Sequence, residues 1–133
     1  MATTNGDEEK QSMHVIAKIL DESRTSYATH NRKLKDLRAV QSKSPSTAQF
    51  PSAFFKTLTP LFTVQRRTSS AERVVRFVSA FAATNNDEFL EDFLKFLLVA
   101  TMAANKTARF RACQIISEVF FKFFSFGAEV LSN

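Results

Sequence analysis

Basic side chains grouped around two turns are the residues best suited to chemistry in this chain. They are Arg66, Arg67, Arg73, Arg76, Lys106, Arg109 and Arg111. If the helices stack, equivalent turns line up along one edge of the protein. Basic side chains along such an edge can neutralise the phosphates of a nucleic acid, and the resulting affinity depends on salt and little on base sequence. The sequence therefore predicts a candidate nucleic-acid surface at these turns. The alternative is a solvated face with internal ion pairs, for instance between Glu72 and Arg76, which are four residues apart.

Patterns typical of catalytic or metal sites are missing from the sequence. His14 and His30 lack carboxylate or cysteine partners at metal-ligand spacing, so we expect both to be surface or interface residues. One acidic group lies at a predicted helix start, where the helix dipole favours negative charge: Asp87, Glu88, Glu91 and Asp92. With 2 glycines there is no phosphate-binding loop, and no Ser-His-Asp or Cys-His spacing occurs. We therefore predict a protein that is not an enzyme and that has no cofactor.

The composition is that of one compact, basic domain. The chain has 133 residues, 44% hydrophobic and 23% charged, and its net charge of +5 suits an acidic partner such as nucleic acid. Its single cysteine, Cys113, excludes an internal disulfide and follows apolar helical spacing, which predicts an inert core thiol. The polar N-terminus does not resemble a signal peptide, and the longest apolar run, FLLVATMAA, is too short for a bilayer. We expect an intracellular, soluble protein.

Hydrophobic periodicity predicts an all-α chain of about five or six helices. A disordered polar tail at 1–11 precedes the helical region at 12–126, which contains a loop at about 42–51 and is followed by an irregular tail at 127–133. Pro60 should kink the third helix, and the capping pair Ser69 and Glu72 should open the fourth. Helix, tight turn and helix then recur, which favours a stacked helical repeat, or α-solenoid. A self-contained helical bundle is the alternative.

Two segments carry a resemblance to a known family. ARFRACQII, at 108–116, resembles the second helix of a HEAT repeat, in which an arginine and a small residue three positions later precede an apolar run. Together with SSAERVVRFVSAF, at 69–81, it is similar to the N-terminal end of the condensin G-subunit family (condensin subunit 3). The plant members are the nearest in pattern, through VIAKILDESRTSYATHNRKLKDL and FFKTLTPLF. The resemblance covers about residues 13 to 119.

This resemblance implies a HEAT-repeat scaffold without catalytic activity, since the ATPase belongs to the SMC subunits. Such a scaffold binds the kleisin subunit and, with it, double-stranded DNA during mitotic chromosome condensation, in the nucleus and partly in the cytoplasm. The resemblance implies that Arg66 and Arg67 lie on the DNA-facing edge, with the other basic residues named above as further candidates. It also implies that Arg109 is a HEAT-type structural arginine that bonds to a neighbouring turn.

The sequence departs from the family after Glu118, where VFFKFFSFGAEVLSN replaces the expected polar turn and next repeat. We expect a truncated product, a splice variant or an incomplete gene model, with most of the kleisin-binding groove missing. Two alternatives to a DNA-binding condensin segment stay open. One is a HEAT-like adaptor that binds only protein, through its phenylalanine surface. The other is a non-functional truncation.

Overall fold

The computed structural model describes residues 3–44, 48–63 and 69–132. Over these residues the chain forms six α-helices and no strand. The helices are α1 (Thr3–Ser23), α2 (His30–Ser42), α3 (Gln49–Leu58), α4 (Ser69–Ala83), α5 (Asp87–Thr101) and α6 (Lys106–Ser132). Short 3₁₀ segments, Tyr27–Thr29 and Thr59–Thr63, precede α2 and follow α3. The all-α prediction is confirmed.

Local signals in the sequence explain where several helices begin and end. The side chain of Asn86 accepts a hydrogen bond from the Phe89 amide at 2.8 Å and so caps α5. Asn105 caps α6 in the same way, through the Ala108 amide at 3.1 Å. Pro60 follows the end of α3 by two residues and lies in a 3₁₀ segment, as expected of a residue that cannot continue an α-helix.

The helices pack in two layers. One layer holds α1, α3 and α5, and the other holds α2, α4 and α6, with each helix packed on the next one in its layer. Within the stack, α1 also packs on α2, and α5 packs on α6. Two layers of equivalent helices are the arrangement of a helical-repeat protein, so the repeat prediction is confirmed.

Phenylalanine rings fill the centre of the stack. Phe54 is fully buried, and its ring centroid lies 5.5 to 6.2 Å from those of Phe81, Phe89 and Phe93 on α4 and α5. Phe50 extends this cluster, 5.8 Å from Phe54. Rings in offset and edge-to-face contact fill a dry core without needing hydrogen-bond partners, which accounts for the use of phenylalanine over tryptophan and tyrosine.

Both predicted tails differ from the structure. Helix α1 begins at Thr3, so the residues expected to be disordered are helical as far as they are described. Glu9 forms an ion pair with Lys56 of α3 at 2.5 Å, an anchor that lies 47 positions away and has no local signature. Helix α6 continues to Ser132 through the segment expected to be irregular, since a single glycine costs a helix only about 1 kcal/mol.

Cys113 is a second correction, because its thiol is exposed rather than buried. The core side of α6 is formed by Ala112, Ile115 and Val119, and a helix turns by about 100° per residue, so Cys113 points away from that side. Across the described part of the chain, no helix is long and apolar enough to cross a membrane.

Candidate basic edge

Two arginines of α4 stand over one tyrosine at the end of the stack where α2 and α4 begin. The guanidinium carbon of Arg76 lies 5.3 Å from the Tyr27 ring centroid, and that of Arg73 lies 5.9 Å away. The ring is about half exposed, so each cation–π contact contributes about 0.5–1 kcal/mol. Nη1 of Arg73 also donates to the Arg24 carbonyl at 2.9 Å, near the negative end of the α1 dipole.

His30 positions Tyr27 for these contacts. Its Nε2 lies 3.0 Å from the Ser23 carbonyl, and because a carbonyl only accepts, this nitrogen carries the proton. The imidazole packs edge-on against Tyr27 at 5.3 Å and against the buried Phe77 of α4 at 5.2 Å. His30 is therefore an internal interface residue, as the sequence predicted, while His14 is exposed on α1.

Arg109 holds the turn between α5 and α6. Its Nη1 donates to the carbonyls of Ala103 and Ala104, at 2.7 and 2.9 Å. The structural role implied for Arg109 is therefore confirmed, although the residue as a whole remains exposed. Lys106, the first residue of α6, is exposed beside this turn.

Arg111 lies inside the protein and is only 1% exposed. Its Nη1 donates to Oε1 of Gln114 at 2.8 Å, and Nε2 of Gln114 donates to both carboxylate oxygens of Glu72 at 3.0 Å. From this position Arg111 does not reach a phosphate at the surface. The predicted pair between Glu72 and Arg76 is not among the ion pairs of the described residues, because the Glu72 carboxylate faces α6.

The basic edge is defined here by Arg73, Arg76, Lys106 and Arg109, which lie toward the N-terminal ends of α4 and α6. Short turns join α4 to α5 and α5 to α6, so α4 and α6 run in roughly the same direction. The hydrogen bonds of Gln114 to Glu72 fix their register. At 1.5 Å per residue, that register separates Lys106 from Arg76 by about 18 Å along the helices. Arg66 and Arg67, predicted for the same edge, lie outside the described residues.

Comparison with curated proteins finds relatives that share one name, condensin complex subunit 3. The protein from Schizosaccharomyces pombe is 30% identical over 106 residues, which cover 76% of this chain. Those from Xenopus laevis and Saccharomyces cerevisiae are 28% and 23% identical, each over 78% of this chain. The chain is similar to condensin complex subunit 3. It spans about 12% of the length of these relatives, and no model of a known protein family matches it.

The family resemblance predicted from the two helical segments is thus confirmed by condensin complex subunit 3 sequences from yeasts and a frog. The similarity extends over most of the chain. A shared helical stack gives similarity of this length, whereas one short motif does not.

A salt bridge joins α1 to α2 near the basic edge. Nζ of Lys33 contacts the Glu22 carboxylate and lies 3.5 Å from that of Asp36. The hydrogen bond from Lys33 lowers the pKa of Glu22, and the same bond raises the pKa of Lys33. In the described part of the chain, no three His, Cys, Asp or Glu residues are arranged to hold a metal ion, so the acidic start of α5 remains a helix-dipole feature.

Side-chain hydrogen bonds join α2 to the end of α4 at the other end of their contact. Gln41 at the end of α2 and Asn85 after α4 exchange two amide hydrogen bonds, at 3.1 and 3.0 Å. Nη2 of Arg38 donates to the Thr84 hydroxyl at 2.5 Å beside them. The side chains at this end of the α2–α4 contact were not singled out in the sequence.

Proposed function

We propose that the chain is a non-catalytic scaffold segment of a condensin-type complex. The observation that carries this proposal is the similarity to condensin complex subunit 3 over about three quarters of the chain. A helical-repeat stack without an assembled catalytic or metal site among its described residues suits a subunit that works by contact.

The proposed partners are the kleisin subunit, through it the SMC subunits, and double-stranded DNA. The proposed setting is mitotic chromosome condensation, on condensed chromosomes in the nucleus and partly in the cytoplasm. The name of the relatives supports membership of the complex. The DNA contact is supported by the net charge of +5 and by the basic edge.

Within the basic edge, the side chains differ in how available they are for phosphate. Arg76 and Lys106 are exposed and are the proposed phosphate contacts of the described residues. Arg66 and Arg67, which lie outside those residues, are proposed contacts from the sequence. Arg73 and Arg109 already donate to helix-end carbonyls, although a guanidinium has further donors left. Arg111 is left out because it is buried.

A titration of the 133-residue chain against duplex DNA at several salt concentrations tests the DNA contact. The slope of log affinity against log salt falls by about 0.9 for each phosphate contact. The double variant R66A/R67A should therefore flatten the slope by about 1.8. The matched control is R32A/K35A, which removes two exposed charges from the outer side of α2 and should change the slope less. Absence of binding at low salt would sink the proposal.

A protein-only adaptor is the second candidate, favoured by exposed aromatic side chains on α6. Phe121 and Phe124 are 71% and 68% exposed, a costly placement for a surface without a partner. In that case the charge variants should leave kleisin binding unchanged, and a polar substitution at Phe121 should remove it. Kleisin binding by surface plasmon resonance and DNA binding by fluorescence anisotropy, measured on the same variants, distinguish the two candidates.

A further inference from the structure

Helix α6 carries a second apolar stripe on the side away from the core. Its core side is formed by Ala112, Ile115 and Val119. The opposite side repeats every three or four residues along one line, here called the α6 stripe: Phe110, Cys113, Ser117, Phe121 and Phe124. All five residues are exposed, and Phe120 lies beside them. Spacing of this kind is the seam of a helix that packs against another helix.

The α6 stripe is symmetric about its central residue, Ser117. Cys113 and Phe121 lie four residues on either side of it, and Phe110 and Phe124 lie seven residues on either side. If two α6 helices pack antiparallel across Ser117, the small Cys113 faces the large Phe121 of the second copy. The two outer phenylalanines then face each other. Small residues at the crossing allow a close approach of the helices, and large ones fill the space beyond it.

A hollow on the stripe matches this pairing. A groove of about 510 Å³ lies along α6, lined by Phe110, Cys113, Ser117 and Phe121 among others. A phenylalanine from the second copy would enter it over Cys113, where the short side chain leaves room. The same groove on the second copy would receive the first copy's phenylalanine, as a two-fold interface requires.

The exposed area suits a dimer. Phe110, Phe120, Phe121 and Phe124 are 38, 45, 71 and 68% exposed. At about 200 Å² per phenylalanine they present roughly 450 Å² on each copy. Pairing would then bury about 900 Å² from these rings alone, and the small residues between them bring the total to about the 1,000 Å² expected of a specific interface.

We propose that this side of α6 binds a second copy of the chain, with the two α6 helices antiparallel and the two-fold axis at Ser117. The proposal goes beyond the condensin-type role, and DNA binding at the basic edge does not require the pairing. A partner bound at Phe121, as in the adaptor candidate, would compete with the second copy.

Sedimentation velocity of the 133-residue chain over a range of concentrations tests the pairing. We expect a concentration-dependent species of twice the mass. F121D should weaken its formation by at least about 30-fold, the effect of losing a central interface anchor. V99D is the matched control, because Val99 is 67% exposed on α5 and lies outside the stripe. Circular dichroism checks that both variants fold. A monomer at every concentration, or equal effects of F121D and V99D, would overturn the proposal.

Cross-linking under mild oxidation tests the orientation and register. In C113S/S117C the new thiols lie at the two-fold axis, so a disulfide-linked dimer should form readily. In the unaltered chain the Cys113 residues of the two copies are about 12 Å apart along the helix axes, which is too far for a disulfide. Ready cross-linking through Cys113 and none through residue 117 would contradict the antiparallel arrangement.

Discussion

Gln114 offers a sharp test of what holds α4 to α6. Its amide bridges the buried Arg111 and the carboxylate of Glu72, at distances of 2.8 to 3.0 Å. The substitution Q114L keeps the approximate volume of the side chain and removes both ends of the bridge. The Arg111 guanidinium and the Glu72 carboxylate then each lose their hydrogen bond to the amide.

The expected cost follows from the charge on both partners. A hydrogen bond to a charged group contributes about 1.5–3 kcal/mol, and two such contacts at the low end give about 3 kcal/mol. That is a large part of a total stability of about 5–15 kcal/mol. For a chain of this length the midpoint of thermal unfolding should fall by about 10 °C.

Thermal and urea unfolding of Q114L, followed by circular dichroism, measure this cost. Q41L is the matched control, because Gln41 is also half-buried and makes two amide hydrogen bonds, but to the neutral Asn85. We expect Q41L to cost about 1 kcal/mol, as neutral hydrogen bonds do. If Q114L lowers the free energy of unfolding no more than Q41L does, water replaces the amide, and the bridge between Arg111 and Glu72 does not stabilise the stack.

Two further predictions concern the core and the pH dependence. F54A replaces a buried ring with a cavity and should lower the free energy of unfolding by about 3–5 kcal/mol. F123A removes a half-exposed ring and should change that free energy by under about 0.5 kcal/mol. Urea denaturation measures both variants, and equal losses of stability would refute the aromatic core. The pKa of Glu22 is lowered by Lys33, so this pair stabilises the fold above the ordinary carboxyl pKa of about 4.3 and loses that effect as pH falls through the lowered value. The pKa of Lys33 is raised, so at high pH the stabilisation by this pair begins to weaken above about 10.4 and is lost as pH rises through the raised value. Melting temperatures of E22Q and the unaltered chain measure the acid side, and a difference between them that stays constant down to pH 2 would contradict the prediction.

Features set by neighbouring residues were predictable from the sequence. The break after α3 follows from Pro60, and the start of α5 follows from an asparagine that caps its first turn. The alternation of helices and tight turns indicated the stack, since a helix with apolar residues on more than one side needs more than one neighbour. In these cases the information lies within a few residues of the feature.

Features set by distant contacts were not predictable in this way. Glu9 of α1 pairs with Lys56 of α3, and Tyr27 lies beneath arginines nearly fifty positions later in the chain. Neither contact leaves a pattern in the local sequence. The side of α6 on which Cys113 lies was a different kind of error, because a shift of one position in the helical register moves a residue by about 100°.

The basic edge shows how periodicity divides charges that sequence proximity groups together. Arg109 and Arg111 are two positions apart, which places them about 200° apart around α6, so one faces the turn and the other faces the core. Two such residues cannot both contact one strip of phosphates. Arg73 and Arg76, three positions apart, are separated by only about 60° and do share a side, where both stand over Tyr27. For the proposed DNA contact we therefore expect one or two residues near each helix start to meet phosphate, rather than a basic run along any one helix.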